Sequence, residues 1–133
     1  MSSLVGGNLK VRRLSGTYVV CRFPANSSIP PWASLGGGFI SITRAEDELS
    51  IVCRLESAPK GTQQEIRWTC FKIEGPFSFS VVGILNSFIA PLAQAEIPIF
   101  ALSTYDTDYV LVKEDDAERA TEALQRAGHR LVG

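Results

Sequence analysis

The C-terminal half of the chain alternates between two hydrophobic periods, and this alternation limits the possible fold more than any other feature. Residues 67–73, 97–102 and 109–112 are rich in β-forming side chains, and the first of these runs alternates between apolar and polar residues. The apolar positions after the first run have helical spacing: Val81, Ile84, Leu85, Phe88 and Leu92. A second helix and a last strand over residues 129–132 complete a β-α-β-β-α-β order. Such an order predicts an α+β fold of the ferredoxin-like kind, with a mostly antiparallel sheet and helices on one face.

The second predicted helix has recognisable signals at both of its ends. Asp115 followed by Glu118 predicts a capping box at its start. Gly128 predicts its C-terminal end, because glycine adopts the left-handed conformation that stops a helix. The first predicted helix contains Pro91, which predicts a kink there.

The N-terminal half follows a reduced form of the same order. A strand over residues 18–23 precedes a short helix at residues 32–34, and residues 39–43 and 49–53 predict an antiparallel hairpin. A short leading strand is predicted over residues 10–13. The polar residues 58–64 contain Pro59 and Gly61 and form the best internal linker.

Charge and hydropathy exclude several classes of function. The chain has 133 residues and a formal net charge of −1, with no basic cluster longer than Arg12-Arg13. We therefore expect no nucleic-acid partner, because phosphate neutralisation requires a basic face. No apolar run approaches the length of a membrane-spanning helix, and the first ten residues lack a signal peptide, so we expect no membrane partner and a cytoplasmic location.

The residues that usually carry catalysis or bind metals do not form a pattern here. Cys21, Cys53 and Cys70 lie singly in apolar runs, which favours buried thiols over a disulfide or zinc site. The single histidine, His129, follows a helix-ending glycine and is best interpreted as a residue at the start of a strand. The glycines at 36–38 precede a strand, so they do not form a phosphate loop. We expect no catalytic residues, no metal and no cofactor, and hence no enzyme.

Two segments carry groups that suit a small zwitterionic ligand. The first is the start of the helix near Gly83, where unpaired N–H groups and the helix dipole favour a carboxylate. The second is the polar turn at residues 103–108, whose hydroxyls, carbonyls and carboxylates suit an ammonium group or a cationic side chain. The same residues also fit an ordinary capped helix and a hairpin turn, and the residue types leave both interpretations open.

Residues 79–128 resemble the ACT domain, in the branch that contains aspartate kinase regulatory domains and cytosolic arginine sensors. The resemblance rests on residues 82–85, 92–99 and 102–112, and on the closing helix with Ala120, Leu124 and Ala127-Gly128. The first half resembles the small leading ACT unit of short bacterial members. The resemblance implies two tandem ACT-type βαββαβ units: a degenerate unit over residues 1–62 and an ACT domain over residues 63–133.

ACT domains are regulatory folds that bind amino acids where ACT units meet, often in dimers. The resemblance implies a ligand-binding role for six residues, at the start of the helix and at the opposing end of a strand: Val82, Gly83, Ile84, Ser103, Thr104 and Asp106. It predicts a non-catalytic protein that senses a free amino acid, forms a homodimer and acts on a regulated partner protein. The alternative is a structural dimerisation or interaction module with no ligand.

Overall fold

The computed structural model describes residues 9–74 and 83–133. These residues form eight strands and two α-helices, grouped into two compact units. One unit is Ser15–Trp68, and the other combines residues 9–14 with the described residues from Thr69 onward. The boundary between the units falls within one strand.

The unit Ser15–Trp68 is an antiparallel sheet over a small core. It contains β2 (Tyr18–Phe23), β3 (Ser41–Arg44), β4 (Leu49–Arg54) and the first part of β5 (Gln63–Ile73), in the order β3-β4-β2-β5. The predicted hairpin is confirmed, with Ile42 opposite Ile51. Apolar side chains of β2 and β4 form the core together with Ala33 of the 3-10 helix Pro31–Ser34.

Strand β5 begins earlier than the sequence predicts. Gln63 and Gln64 are polar and were expected in the linker, but their backbone pairs with β2, with Gln64 opposite Cys21. Strand pairing satisfies the backbone N–H and C=O groups whatever the side chains are, so polar residues can extend a strand. A register shift occurs between Tyr18 and Val19, opposite Arg67, which has a φ of 66°.

The other unit contains both α-helices. Its elements are β1 (Lys10–Arg13), the end of β5, α1 (Ile84–Gln94), β6 (Ile99–Ser103), β7 (Asp108–Lys113), α2 (Ala117–Arg126) and β8 (Arg130–Val132). The predicted order β-α-β-β-α-β is confirmed from β5 to β8, and so is the α+β class. Both helices contribute to one core, in which Phe88 packs near Phe71 and Leu124 is fully buried.

The leading strand β1 lies inside this unit, between β5 and β8. It runs antiparallel to β5 and parallel to β8, with Val11 opposite both Ile73 and Leu131. Val11 is completely buried, so the first strand of the chain is part of the C-terminal unit's core. The predicted boundary at residue 62 separates two tandem ACT-type units and is a different division from that into compact units. It stays a prediction.

The two ends of α2 differ in how well the sequence predicted them. Gly128 has a φ of 98°, and its N–H and that of His129 bond to carbonyls of the last turn, which confirms the predicted stop. The predicted Asp115–Glu118 capping box is wrong: the helix starts after Asp116, without a side-chain cap. Glu118 instead pairs with Arg13 at 3.1 Å. A long-range partner on β1 therefore replaces the local one.

Candidate functional site

The predicted polar turn is the tight connection between β6 and β7. Thr104 donates its N–H to the Thr107 carbonyl at 2.8 Å and its hydroxyl to the same carbonyl at 3.0 Å. These bonds fix the turn and leave Tyr105 and Asp106 at its tip, both exposed to solvent. The Asp106 carboxylate is therefore presented outward, whereas the Thr104 hydroxyl has a structural role.

The base of the turn is held by a second pair of bonds. The Ser103 hydroxyl donates to the Asp108 carboxylate, across the ends of the two strands. The Thr107 hydroxyl donates to the Ile73 carbonyl, which sets the turn at the C-terminal end of β5. The structure thus brings Ser103, Thr104 and Asp106 together in one turn, as the sequence predicted.

The predicted helix start is described from Gly83 onward, and Val82 lies outside the described residues. Gly83 is the N-cap residue of α1, with a φ of 86° and no side-chain cap, and its carbonyl accepts the Ser87 N–H at 2.8 Å. The Ile84 side chain is in the core and only 7% exposed. The Ile84 side chain therefore cannot line a ligand site, and this residue can offer a ligand nothing but its backbone N–H, at the positive end of the helix dipole.

The turn and the helix start are related through the end of β5. The turn is bonded to Ile73, and from Glu74 the chain continues through residues 75–82 to Gly83. The segment that connects them, residues 75–82, lies outside the described residues. Their proximity around a ligand accordingly remains a prediction.

Glu74, at the end of β5, is already paired within the protein. Arg12 donates from Nε to the Glu74 carboxylate at 2.7 Å, and this hydrogen bond is the main reason that the pKa of Glu74 is lowered. The carboxylate of Asp106 is the one that the turn presents to solvent. A ligand cation would meet Asp106, and a ligand carboxylate would suit the amides at the start of α1.

Sequence reasoning missed two concave surfaces. A cavity of about 650 Å³ in the unit Ser15–Trp68 is lined by Thr17, Leu55, Glu56, Ala58, Lys60, Gln64, Ile66 and Arg67. A groove of about 290 Å³ between α1 and α2 is lined by Pro91, Gln94, Ala95, Ala123, Arg126 and Ala127. Neither surface contains a predicted site residue. The sequence signal for the cavity was Ile66, an apolar residue between the predicted linker and the predicted strand. This side chain is exposed in the structure.

The described residues offer neither a cluster of metal ligands nor a membrane-spanning helix. Residues 9–74 and 83–133 contain no group of three or more His, Cys, Asp or Glu side chains placed to hold a metal ion. Within the same residues, no helix is long and apolar enough to cross a membrane.

Comparison with known proteins gives matches over both halves of the chain. The family model described as the ACT domain matches residues 63–126, and a model described as an N-terminal domain matches residues 16–61. The human cytosolic arginine sensor for mTORC1 subunit 1 is 32% identical over 117 residues, covering 81% of this chain and 35% of that protein. The chain therefore spans about a third of the length of the curated relatives it matches.

Solved structures show the same fold. A crystal structure of a protein from Agrobacterium tumefaciens matches with a TM-score of 0.90 and 44% identity, covering 96% of this chain and 94% of that one. The aspartate kinase of Clostridium acetobutylicum, an allosteric enzyme, matches with a TM-score of 0.67 and 14% identity. That match covers 94% of this chain and 36% of the kinase, and shows the fold alone. These matches confirm the ACT fold that the sequence predicted.

Proposed function

Because the chain belongs to the ACT domain family, we propose that it is a non-catalytic regulatory protein that binds a free amino acid. The observation that carries the proposal is the β6–β7 turn, which presents the Asp106 carboxylate to solvent at the end of β5. The name of the human relative describes an arginine sensor, which supports an amino-acid ligand.

The proposed site uses opposite charges for the two ends of the ligand. Asp106, with the oxygens of Ser103 and Thr104, receives the ammonium group or a cationic side chain. The N–H groups at the start of α1, around Val82, Gly83 and Ile84, receive the carboxylate. The family further supports a site formed where one ACT unit meets another, in a homodimer, and the relative's name supports a cytosolic protein that acts on a regulated partner.

The second candidate function is a dimerisation or interaction module without a ligand. It is favoured by the hydroxyls of Ser103 and Thr104, which already bond to Asp108 and Thr107 within the chain. If these hydroxyls serve only to hold the conformation of the turn, the turn needs no ligand.

A thermal-shift screen of the twenty standard amino acids separates these functions. We expect one amino acid or one chemical class to raise the melting temperature, because a ligand that binds only the native state adds about 2.7 kcal/mol of stability at a hundred times its Kd. The shift should be lost in Asp106→Ala. Asp47→Ala, the same substitution in the β3–β4 turn, is the matched control and should keep it.

Two results would contradict the proposal. If none of the twenty amino acids stabilises the folded protein, the ligand-free module becomes the better function. If the shift occurs but persists in Asp106→Ala, the protein binds an amino acid without this carboxylate, and the proposed site is wrong.

A further inference from the structure

The cavity of about 650 Å³ in the unit Ser15–Trp68 lies where the connection between two strands is short. Between β7 and β8 the chain forms helix α2, which is ten residues long. Between β4 and β5 it forms only the 3-10 helix Leu55–Ser57 and a loop. Because this connection covers less of the sheet than a helix would, the start of β5 is left partly uncovered.

The floor of the cavity is apolar. Ile66 lies opposite Val19, which is completely buried in the core of this unit, so the two side chains are on the same face of the sheet. Ile66 is nevertheless 46% exposed. Leu55 and Ala58 pack against the same core and also line the cavity. The apolar floor of Leu55, Ala58 and Ile66 therefore extends the hydrophobic core to the surface, and a ligand with an apolar body would remove it from water.

A bulge in β5 places a cation beside this apolar floor. Consecutive residues of a regular strand point to opposite faces, yet Ile66 and Arg67 both line the cavity. The register shift at this point and the φ of 66° at Arg67 make this possible. Trp68 holds the bulge by donating from Nε1 to the Glu65 carbonyl at 3.0 Å. A positive φ is unfavourable for arginine, and residues held in such conformations are frequent at ligand-binding sites.

The rim of the cavity carries an excess of positive charge. Lys60 and Arg67 are exposed cations and Glu56 is an exposed carboxylate, so two positive charges and one negative charge leave a net +1. Gln64 donates to the Pro59 carbonyl at 2.8 Å, which holds the loop that carries Lys60. A ligand with one negative charge matches this excess, and a guanidinium beside an ammonium group suits a carboxylate.

We propose that this cavity binds a small monocarboxylate with an apolar body. The apolar body lies on the apolar floor, and the carboxylate meets Lys60 and Arg67 at the rim. Cavities of about 300 to 1,000 Å³ with an apolar lining and a few polar groups are typical of small-molecule sites. The site goes beyond the proposed function and shares no residue with the amino-acid site around Asp106, so either can fail without the other.

A thermal-shift comparison of 3-phenylpropionate with three reference compounds tests this proposal on the intact chain. Acetate lacks the apolar body, 3-phenylpropionamide has no charge, and 2-phenylethylamine has the opposite charge. We expect millimolar 3-phenylpropionate, at ten times its Kd, to raise the melting temperature by roughly 4 °C at matched ionic strength. The three reference compounds should each have a much smaller effect.

Ile66→Trp should abolish the response, because the larger side chain occupies the cavity. Without ligand this variant should melt at or above the wild-type temperature, since the indole covers apolar surface that is exposed in the wild type. Ile42→Trp is the matched control: Ile42 is an isoleucine of β3 that is 37% exposed and does not line the cavity. It should keep the response.

Lys60→Gln tests the charge at the rim without a change in the apolar floor. It should weaken the binding of 3-phenylpropionate about fivefold, as expected for one exposed ion pair. Lys10→Gln, at an exposed lysine of β1, is the control and should leave the affinity unchanged. Asp106→Ala should bind 3-phenylpropionate normally.

Four results would overturn the monocarboxylate site. The first is no shift with millimolar 3-phenylpropionate. The second is an equal or larger shift with the amide or the amine, which indicates apolar contact without recognition of the carboxylate. The third is an equal shift with acetate, which indicates an effect of the anion alone. The fourth is a response that persists in both Ile66→Trp and Lys60→Gln, which indicates binding elsewhere on the chain.

Discussion

Replacement of His129 by alanine is expected to lower the free energy of unfolding by about 3 kcal/mol, because it removes one buried and one partly buried hydrogen bond and leaves a cavity. His129 is 4% exposed. Its Nδ1 accepts the Leu9 N–H at 3.1 Å, so Nδ1 carries no hydrogen. Its Nε2 then donates to the Ser87 carbonyl at 2.8 Å. One neutral imidazole thus joins the start of β1 to helix α1.

Pro91 explains why the Ser87 carbonyl needs this donor. In a regular helix that carbonyl would accept the N–H four residues later, and proline has none. The imidazole supplies a hydrogen bond that the helix cannot, and it stacks on Phe88 with ring centroids 6.4 Å apart. Proline in the interior of α1 is therefore compensated by a residue from the other end of the sequence.

Urea unfolding of four variants measures this coupling. Arg130→Ala, an exposed neighbour, is the control and should change stability by less than about 0.5 kcal/mol. Pro91→Ala restores a helical donor, so in the His129→Ala background it should recover about 1 kcal/mol. A loss below about 1 kcal/mol for His129→Ala, or strictly additive effects of the two substitutions, would contradict the role assigned to the imidazole.

The strands were predictable because their hydrophobic runs are local information. The runs at residues 18–23 and 49–53 coincide with β2 and β4 to within one residue, since a short apolar run rich in β-forming side chains favours a buried strand. The role of His129 was not predictable in this way. Its partners Leu9 and Ser87 are 120 and 42 positions distant, and only the folded sheet brings them together.

The errors at element ends have a related cause. The sequence offered Glu118 a local partner in the capping box, but the structure pairs it with Arg13 across the unit. Gln63 and Gln64 were assigned to the linker because they are polar, although pairing with β2 decides their conformation. At helix and strand ends the local preferences are weak, and a tertiary contact of about 1 kcal/mol is enough to override them.

The candidate site was predictable in its composition and not in its bonding. Residue types indicated the polar turn at residues 103–108, and the resemblance to the ACT domain implied Ser103, Thr104 and Asp106 within it; the structure places these three in one turn. Which hydroxyls form hydrogen bonds within the turn depends on the folded geometry, and the residue types alone do not specify it. The cavity beside Ile66 illustrates the same limit, because an isoleucine in a strand is ordinary until its surroundings are known.

The three cysteine thiols should be almost inert in the native protein and fully reactive after unfolding. All three are free and buried. Burial raises the pKa of Cys70 to about 12 and, with smaller contributions from Cys21 and Glu56, that of Cys53 to about 11. Burial also raises the pKa of Cys21, although hydrogen bonds with Thr62 and Gln64 oppose the change. Because the thiolate is the reactive form, each raised pKa lowers the rate of reaction.

The size of the effect follows from the thiolate fraction at pH 8. A thiol with a pKa of about 12 is thiolate in roughly one molecule in 10⁴, against about one in four for an ordinary cysteine with a pKa near 8.5. A disulfide reagent such as dithionitrobenzoate should therefore titrate less than one equivalent from the native protein and three from the urea-unfolded chain. Rapid reaction of a full equivalent in the native state would contradict burial of at least one thiol. The variants Cys21→Ser, Cys53→Ser and Cys70→Ser would identify which.

The raised pKa values of the folded protein also predict how its stability depends on pH. The free energy of unfolding should fall as the pH rises above about 8.5, where unfolding begins to release thiol protons.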